Sequence, residues 1–249
     1  MEPVSPRRAL LGVDFDDLSL EETLRRLLAR PKRAPFAYVV TPNADHIARL
    51  GRIPALRPLY QCAMFCLLDS KFIGLCARRL GIAPPPVVTG ADLTAALLPR
   101  LWGWRVAVIG MAPANVQALA ARYPAVAFLH HNPPMRLLHD HPAFYAARDF
   151  ACASEAAFIF IALGSPVQEL LAHAIARQRG STGVGLCIGT ALAFCAGTAP
   201  RAPAWMRARG LEFLFRLARD PQRLAGRYLL DCPGVLAGLL RQARAQKNC

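Results

Sequence analysis

Acids are scarce in this sequence. Sixteen Asp and Glu stand against thirty Lys and Arg in 249 residues, a formal charge of +14. That imbalance calls for an anionic partner: nucleic acid, phospholipid or a phosphorylated substrate. Although 54% of the residues are hydrophobic, no run reaches about 18 uncharged apolar residues, so no membrane-spanning helix is predicted. The opening stretch MEPVSPRRALLGVDFDD has too short an apolar segment ahead of its acids to act as a signal peptide. The eight cysteines (62, 66, 76, 152, 187, 195, 232, 249) form no C-x-x-C pair. Most sit among Ala, Leu and Phe and read as small core hydrophobes in a reducing cytoplasm. A zinc site on Cys62 and Cys66 lacks a second ligand pair, so neither metal nor cofactor is expected. There is no G-x-G-x-x-G and no internal repeat. No recognisable RNA- or DNA-binding module appears and the arginines concentrate in a tail among apolar residues, which argues against the nucleic-acid-binding alternative.

What is present is a series of short apolar runs separated by helical segments. Ser19-Leu20-Glu21-Glu22 has the form of a capping box, with Leu20, Leu24, Leu27 and Leu28 following at helical spacing. Phe36–Val40 is β-prone and stops at Thr41-Pro42-Asn43. Residues 44–60 are helix-like but broken at Pro54 and Pro58, and the apolar segment 62–68 ends in Asp69-Ser70. Arg105–Gly110 is the clearest strand, with a helix starting at Pro113. Residues 125–129 and 157–163 read as two more buried strands, and Val184–Ile188 as another apolar run. Such runs, spaced by helices of about 10 to 15 residues, predict an α/β fold: a Rossmann-like, mostly parallel sheet with flanking helices. Open sheets of this kind bind ligands beyond the carboxyl ends of their strands. Thr41, Asn43, Asp69, Gly110, Ser165 and Gln168 fall there.

The composition shifts after Gly197. Residues 200–249 carry ten Lys/Arg and three acids, half of the chain's excess charge in its last fifth. Leu211, Leu214, Phe215 and Leu217 alternate with Arg216, Arg219 and Arg223, as in a basic amphipathic helix. The expected division is an α/β core over 1–199 and an Arg-rich helical appendage over 200–249. Arg201 lies between Pro200 and Pro203, with Trp205 near by, and such a stiffly held Arg fork suits phosphate.

Each chemical candidate has a structural counterpart. Asp69 is either a catalytic carboxylate or a polar cap where a strand meets a helix. Asp14-Phe15-Asp16 resembles a metal-holding D-x-D, but acids just before a helix also decorate its positive end. In Gly164-Ser165-Pro166-Val167-Gln168-Glu169, Ser165 and Gln168 satisfy a capping box, and Gln168 serves equally well as a ligand-binding amide. The stretch HHNPPMRLLHDH, residues 130–141, reads as a solvated loop without metal-ligand spacing.

Several of these pieces, in this order, resemble the WecG/TagA/CpsF family of glycosyltransferases. The matching segments are Thr41-Pro42-Asn43, Asp69, Val88–Leu93, Val108–Gly110, Tyr123-Pro124, Leu163–Glu169, Ala196-Gly197, Arg201–Met206, Gly210–Leu217 and Asp220–Leu224. The resemblance implies an inverting, metal-independent transfer from a UDP-sugar to a lipid-diphosphate-linked sugar. It places the protein peripherally on the cytoplasmic membrane surface, as a homo-oligomer. It also implies Asp69 as catalytic base and Thr41 as its partner. Asn43, Asp45, Ser70, Asp92, Gly110, Ser165 and Gln168 would line the substrate site, and Arg201, Arg216 and Arg223 would close it over phosphates. Three positions depart from the family pattern. Ser70 replaces the glycine of D-G, Ala193 replaces an acid, and Arg136 replaces the glycine of P-P-M-G. The first two leave a catalytically inactive scaffold member as an alternative. The D-S and P-P-M features look closer to exopolysaccharide members, with N-acetylmannosamine, glucuronic acid or a related hexose as donor sugar.

Overall fold

The apolar runs become strands because a strand covered by helices on both faces can be apolar at every position. In the computed structural model, residues 5–247 are described, apart from the side chains of Arg216 and of residues 223–232. The side chains of Arg216 and Arg223, expected to close the site over phosphates, therefore lie outside what is described. The chain begins with an antiparallel hairpin, β1 (Arg7–Leu10) and β2 (Val13–Asp16), followed by helix α1 (Leu20–Ala29). Next come β3 (Ala37–Val40), α2 (Ala44–Arg52), α3 (Arg57–Gln61), β4 (Phe65–Cys66), α4 (Lys71–Arg79) and α5 (Gly90–Leu97). The second half runs β5 (Arg105–Gly110), α6 (Pro113–Arg122), β6 (Ala127–His131), α7 (His141–Ala153), β7 (Phe158–Ala162), α8 (Val167–Ala176), β8 (Val184–Cys187) and α9 (Ala191–Ala196). Three helices complete it: α10 (Ala204–Ala208), α11 (Glu212–Arg219) and α12 (Pro221–Lys247). None is long and apolar enough to cross a membrane among the described residues.

Strands β3 to β8 form one six-stranded sheet in the order β4-β3-β8-β7-β5-β6, parallel throughout. This is the predicted α/β class. Alternate residues of each strand feed two cores. Ala107, Ile109, Ile159 and Ile161 face α2, α4, α7 and α8, whereas Val106, Val108, Phe158 and Phe160 face α1, α5, α6 and α9. The last helix contributes to the first of these cores through buried Val235, Leu239 and Ala243. Its Gln242 also accepts from Leu11 N–H at 2.9 Å, so the C-terminal turns are seated against the N-terminal hairpin.

Four local expectations change. Asp14-Phe15-Asp16 does not decorate a helix start but lies in strand β2, where Asp16 points inward, 2% exposed. The strand expected over 125–129 lies at 127–131 instead. It is the sheet edge and only half-buried, because one flank has no neighbour strand. His130 and His131 belong to this strand rather than to a loop. The His130 ring nitrogen sits 3.1 Å from Gly110 O and 3.0 Å from Met111 O, tying the edge to β5. The box at α1 is half made: Ser19 accepts from Glu22 N–H, while the Glu22 carboxylate turns to Arg25 and Arg26. Arg136, where the resemblance has glycine, adopts the left-handed conformation (φ 64°) that explains a glycine there.

Candidate active site

Crossovers from β3 to β4 and from β5 to β6 run to opposite sides of the sheet, and β7 and β8 fill the space between. A crevice opens at such a reversal, beyond the strands' carboxyl ends. Here it is a cleft of about 580 Å³. Its floor comes from the residues after β3, β4, β7 and β8, and one wall comes from residues 199–220 of the basic segment.

Asp69 sits three residues past β4, and its N–H donates to Pro42 O at 3.1 Å, which joins the two strand-end loops. The Asp69 Oδ2 accepts from the N–H of Gly90, the first residue of α5, at 3.1 Å. From the adjacent loop, Thr41 is 5% exposed and donates through Oγ1 to Cys187 O at 3.3 Å. The two side chains converge on Gly90. A Cβ there would lie 2.9 Å from Thr41 Oγ1 and 3.5 Å from Asp69 Oδ2. Cap and carboxylate are separate residues: Ser70, not Asp69, caps α4 by accepting from Ile73 N–H at 3.2 Å. Ser70 has φ −159°, extended backbone open to any residue, so serine in place of glycine carries no strain.

The other expected residues divide. Asn43, Asp45, Ser165 and Gln168 line the cleft with Thr41, Asp69 and Ser70. Asn43 is also the N-cap of α2, accepting from Asp45 N–H at 3.0 Å and His46 N–H at 3.4 Å. Asp45 pairs with Arg49 at 2.7 Å, and the same guanidinium donates to Ser165 Oγ at 2.8 Å. Ser165 therefore does not cap α8, which begins after Pro166 without a side-chain cap, and Gln168 forms no capping box with it. Instead Gln168 accepts from Gly189 N–H at 2.9 Å and donates to Glu169 at 2.8 Å. Asp92, Gly110 and Arg201 lie outside the cleft lining. Gly110, at φ 88°, is a packing position: a Cβ would meet Ala162 O at 2.8 Å. Asp92 and Arg201 bind each other at 2.6 Å across 109 residues of sequence.

That pair latches the basic segment onto α5. Burial raises the Asp92 carboxyl, but hydrogen bonds from Arg201 and Thr89 and the charges of Arg201 and Lys71 outweigh it, leaving the group below its ordinary value. A depressed folded value means the carboxylate's contribution is complete above the ordinary carboxylate range and lost as pH falls through the folded value. Hydrogen exchange over residues 201–210 should thus be slow at neutral pH and accelerate only in acid. In Asp92→Ala it should be fast at both, and unchanged exchange in that variant would refute the latch. Two further contacts seat the segment. Phe213 packs on Phe72 with ring centroids 5.2 Å apart. Gly210, at φ 72°, lies so close to the Lys71–Phe72 backbone that a Cβ would approach to 3.1 Å.

Sequence reasoning passed over three cations that line the cleft, Lys71, Arg207 and Arg219. Lys71 carried a legible signal, since a lysine in the first turn of a helix opposes the dipole and asks for another purpose. Arg207 did not, being one arginine among many. Cys187 also lines the cleft, but burial first and then the Glu169 charge push its thiol well up, which removes it as a nucleophile.

Residues 8–249 match the sequence model of the Glycosyl transferase WecG/TagA/CpsF family. Over 224 residues the chain is 25% identical to the N-acetylglucosaminyldiphosphoundecaprenol N-acetyl-beta-D-mannosaminyltransferase of Staphylococcus aureus strain MW2, covering 86% of this chain and 85% of that enzyme. The identically named enzyme of strain MRSA252 is 24% identical over 226 residues, with the same coverage. With the family match running from the first strand through the sheet, the cleft and the basic segment, the chain belongs to the WecG/TagA/CpsF family and is a glycosyltransferase.

Proposed function

We propose that the cleft moves a sugar, with inversion, from a UDP-sugar to a saccharide carried on a polyprenyl diphosphate, in the synthesis of a surface polysaccharide or teichoic acid. The observation that carries this reading is the convergence of Asp69 and Thr41 on Gly90 in a cleft beyond the strand ends. Asp69 takes the proton of the attacking acceptor hydroxyl as its oxygen bonds to C1 of the donor sugar. The bond from C1 to the phosphate oxygen breaks, and UDP departs with the electron pair. Lys71, Arg207 and Arg219 line the cleft where that negative charge grows, which suits electrostatic stabilisation by protein cations. Thr41 holds the pocket wall against Asp69. The names of the S. aureus relatives support a diphosphoundecaprenol acceptor carrying N-acetylglucosamine and a donor of N-acetylmannosamine. Glucuronic acid or a related hexose remains within this reading of the donor.

Residues 200–249 serve two purposes in this proposal: they wall the cleft, and they bring it to the inner face of an anionic membrane where the acceptor is anchored. The test is UDP release by the purified protein from a panel of UDP-sugars with a prenyl-diphosphate-linked sugar as acceptor. Acceptor-dependent release from one donor is the expected result. Release no greater than that of an Asp69→Asn control, from every donor, would overturn the proposal.

Gly90 gives a sharper local check. Alanine fits the backbone of Gly90, the first residue of α5, which is outside the left-handed region. It is also the better helix former, so Gly90→Ala should not lower the melting temperature in proportion to its effect on the site. Yet the added methyl would lie 2.9 Å from Thr41 Oγ1 and must push that side chain aside, and a misplacement of about 1 Å can cost on the order of 10²-fold in rate. Turnover measured beside thermal melting should therefore show a large loss of rate with stability nearly retained. A fully active Gly90→Ala would remove the close approach of these groups from the mechanism.

A further inference from the structure

Glu169 is fully buried, its Oε1 accepts one hydrogen bond, from Gln168 Nε2 at 2.8 Å, and its Oε2 has no hydrogen-bond partner among the described residues. A buried acid so thinly supported is costly, and packing alone would be served better by leucine. Its one contact identifies what it does. The two ends of a glutamine amide have nearly the same shape, so sterics do not choose between them; the hydrogen-bond partners do. An accepting oxygen of Glu169 on one side requires Nε2 there and turns Oε1 toward Gly189, whose N–H it accepts at 2.9 Å. A flipped amide would set two oxygens together at Glu169 and two N–H groups together at Gly189.

We propose that Glu169 is a positioning residue that acts through Gln168, locking its amide so that the carbonyl holds the Gly189–Thr190 turn and an N–H is the group offered to the substrate. Two features support this. Gly189 has φ 54° and opens the turn that carries Thr190 into the cleft lining. Gln168 itself lines the cleft, and its Nε2 has two hydrogens, of which Glu169 takes one. The locked amide therefore reads an oxygen of the substrate (carbonyl, hydroxyl or phosphate) and rejects a donor at the same point. The inference rests on the glycosyl-transfer reading for the identity of that substrate, but not for the lock.

Three variants test it, each followed by exchange of the Gly189 amide in the ligand-free protein and by KM and kcat with the active UDP-sugar. Glu169→Gln keeps an accepting oxygen and should match the wild type in both. Glu169→Leu removes it and should speed Gly189 exchange and raise KM about tenfold or more, with a smaller effect on kcat. The exchanged pair Gln168→Glu with Glu169→Gln keeps both internal hydrogen bonds but has no amide donor at 168. It should leave Gly189 protected and raise KM as the leucine variant does. If leucine leaves Gly189 exchange and KM at wild-type values, or if Glu169→Gln is as damaged as leucine, the lock is refuted. A wild-type KM in the exchanged pair refutes the offered donor, and this variant and Glu169→Gln decide the matter even if the leucine protein does not fold. Absence of turnover in every protein, with Gly189 exchange still speeded by leucine, would refute the transfer reading and uphold the lock.

Discussion

Asp69→Asn is expected to lower kcat by about 10³-fold while KM changes little, because general-base catalysis contributes roughly 10²–10⁴-fold and depends on a group that can take a proton. The substitution suits the question. Asparagine has the same shape, and its side-chain oxygen can still accept from Gly90 N–H, the bond that Asp69 Oδ2 makes at 3.1 Å. The junction between the β3 and β4 loops, made by Asp69 N–H to Pro42 O, is backbone and survives as well. A melting temperature close to the wild type would therefore accompany the loss of rate. Turnover within about tenfold of wild type would show that Asp69 organises the α5 terminus and that another group receives the proton.

The second large effect concerns stability and lies far from the substrate. Asp16→Ala should destabilise the protein by about 3 kcal/mol or more, since breaking a buried, hydrogen-bonded charge network leaves its partners stranded. Asp16 is 2% exposed and holds three of them: Ser5 Oγ, Arg7 Nε at 3.4 Å and the backbone N–H of Cys66 at 2.7 Å. The last contact is the most telling. Strand β4 is an edge strand, its neighbours Met64 and Leu67 donate inward to β3, and Cys66 N–H points the other way. Asp16 supplies the acceptor that a further strand would have supplied. For a chain of this size the loss corresponds to a fall in melting temperature of roughly 6–12 °C. Asp16→Asn keeps an oxygen for Cys66 and should lose less. Equal melting of the alanine variant and the wild type would mean that the hairpin does not hold this edge.

Much of this architecture was legible in the sequence because the parallel strands carry a local signature. Arg105–Gly110 and Phe158–Ala162 are apolar at nearly every position since both faces are covered, and this needs no knowledge of the partners. The half-covered strand at 127–131 was placed two residues early for the same reason: an edge strand with histidines has no such run. Helix starts at Leu20 and Pro113 were equally local, set by a serine cap and by a proline at the first position.

The side-chain partnerships were not local, and there the tertiary structure decided. Ser165 and Gln168 have the spacing of a capping box, and alone they would form one. In the fold Arg49, 116 residues away, claims Ser165, and Gly189 and Glu169 claim Gln168. Arg201 has the stiff setting of a phosphate ligand, yet Asp92 is brought within 2.6 Å and binds it. Asp16 looked like decoration before a helix until an edge strand with an unpaired N–H was laid beside it. By itself the sequence determined the parallel sheet and the placement of Thr41 and Asp69 beyond its strand ends, because burial on both faces and the βαβ order are written in consecutive residues. Which donor meets which acceptor was left to the tertiary structure, because a hydrogen bond is chosen by the nearest competing group in space, and the competing groups here come from distant parts of the chain.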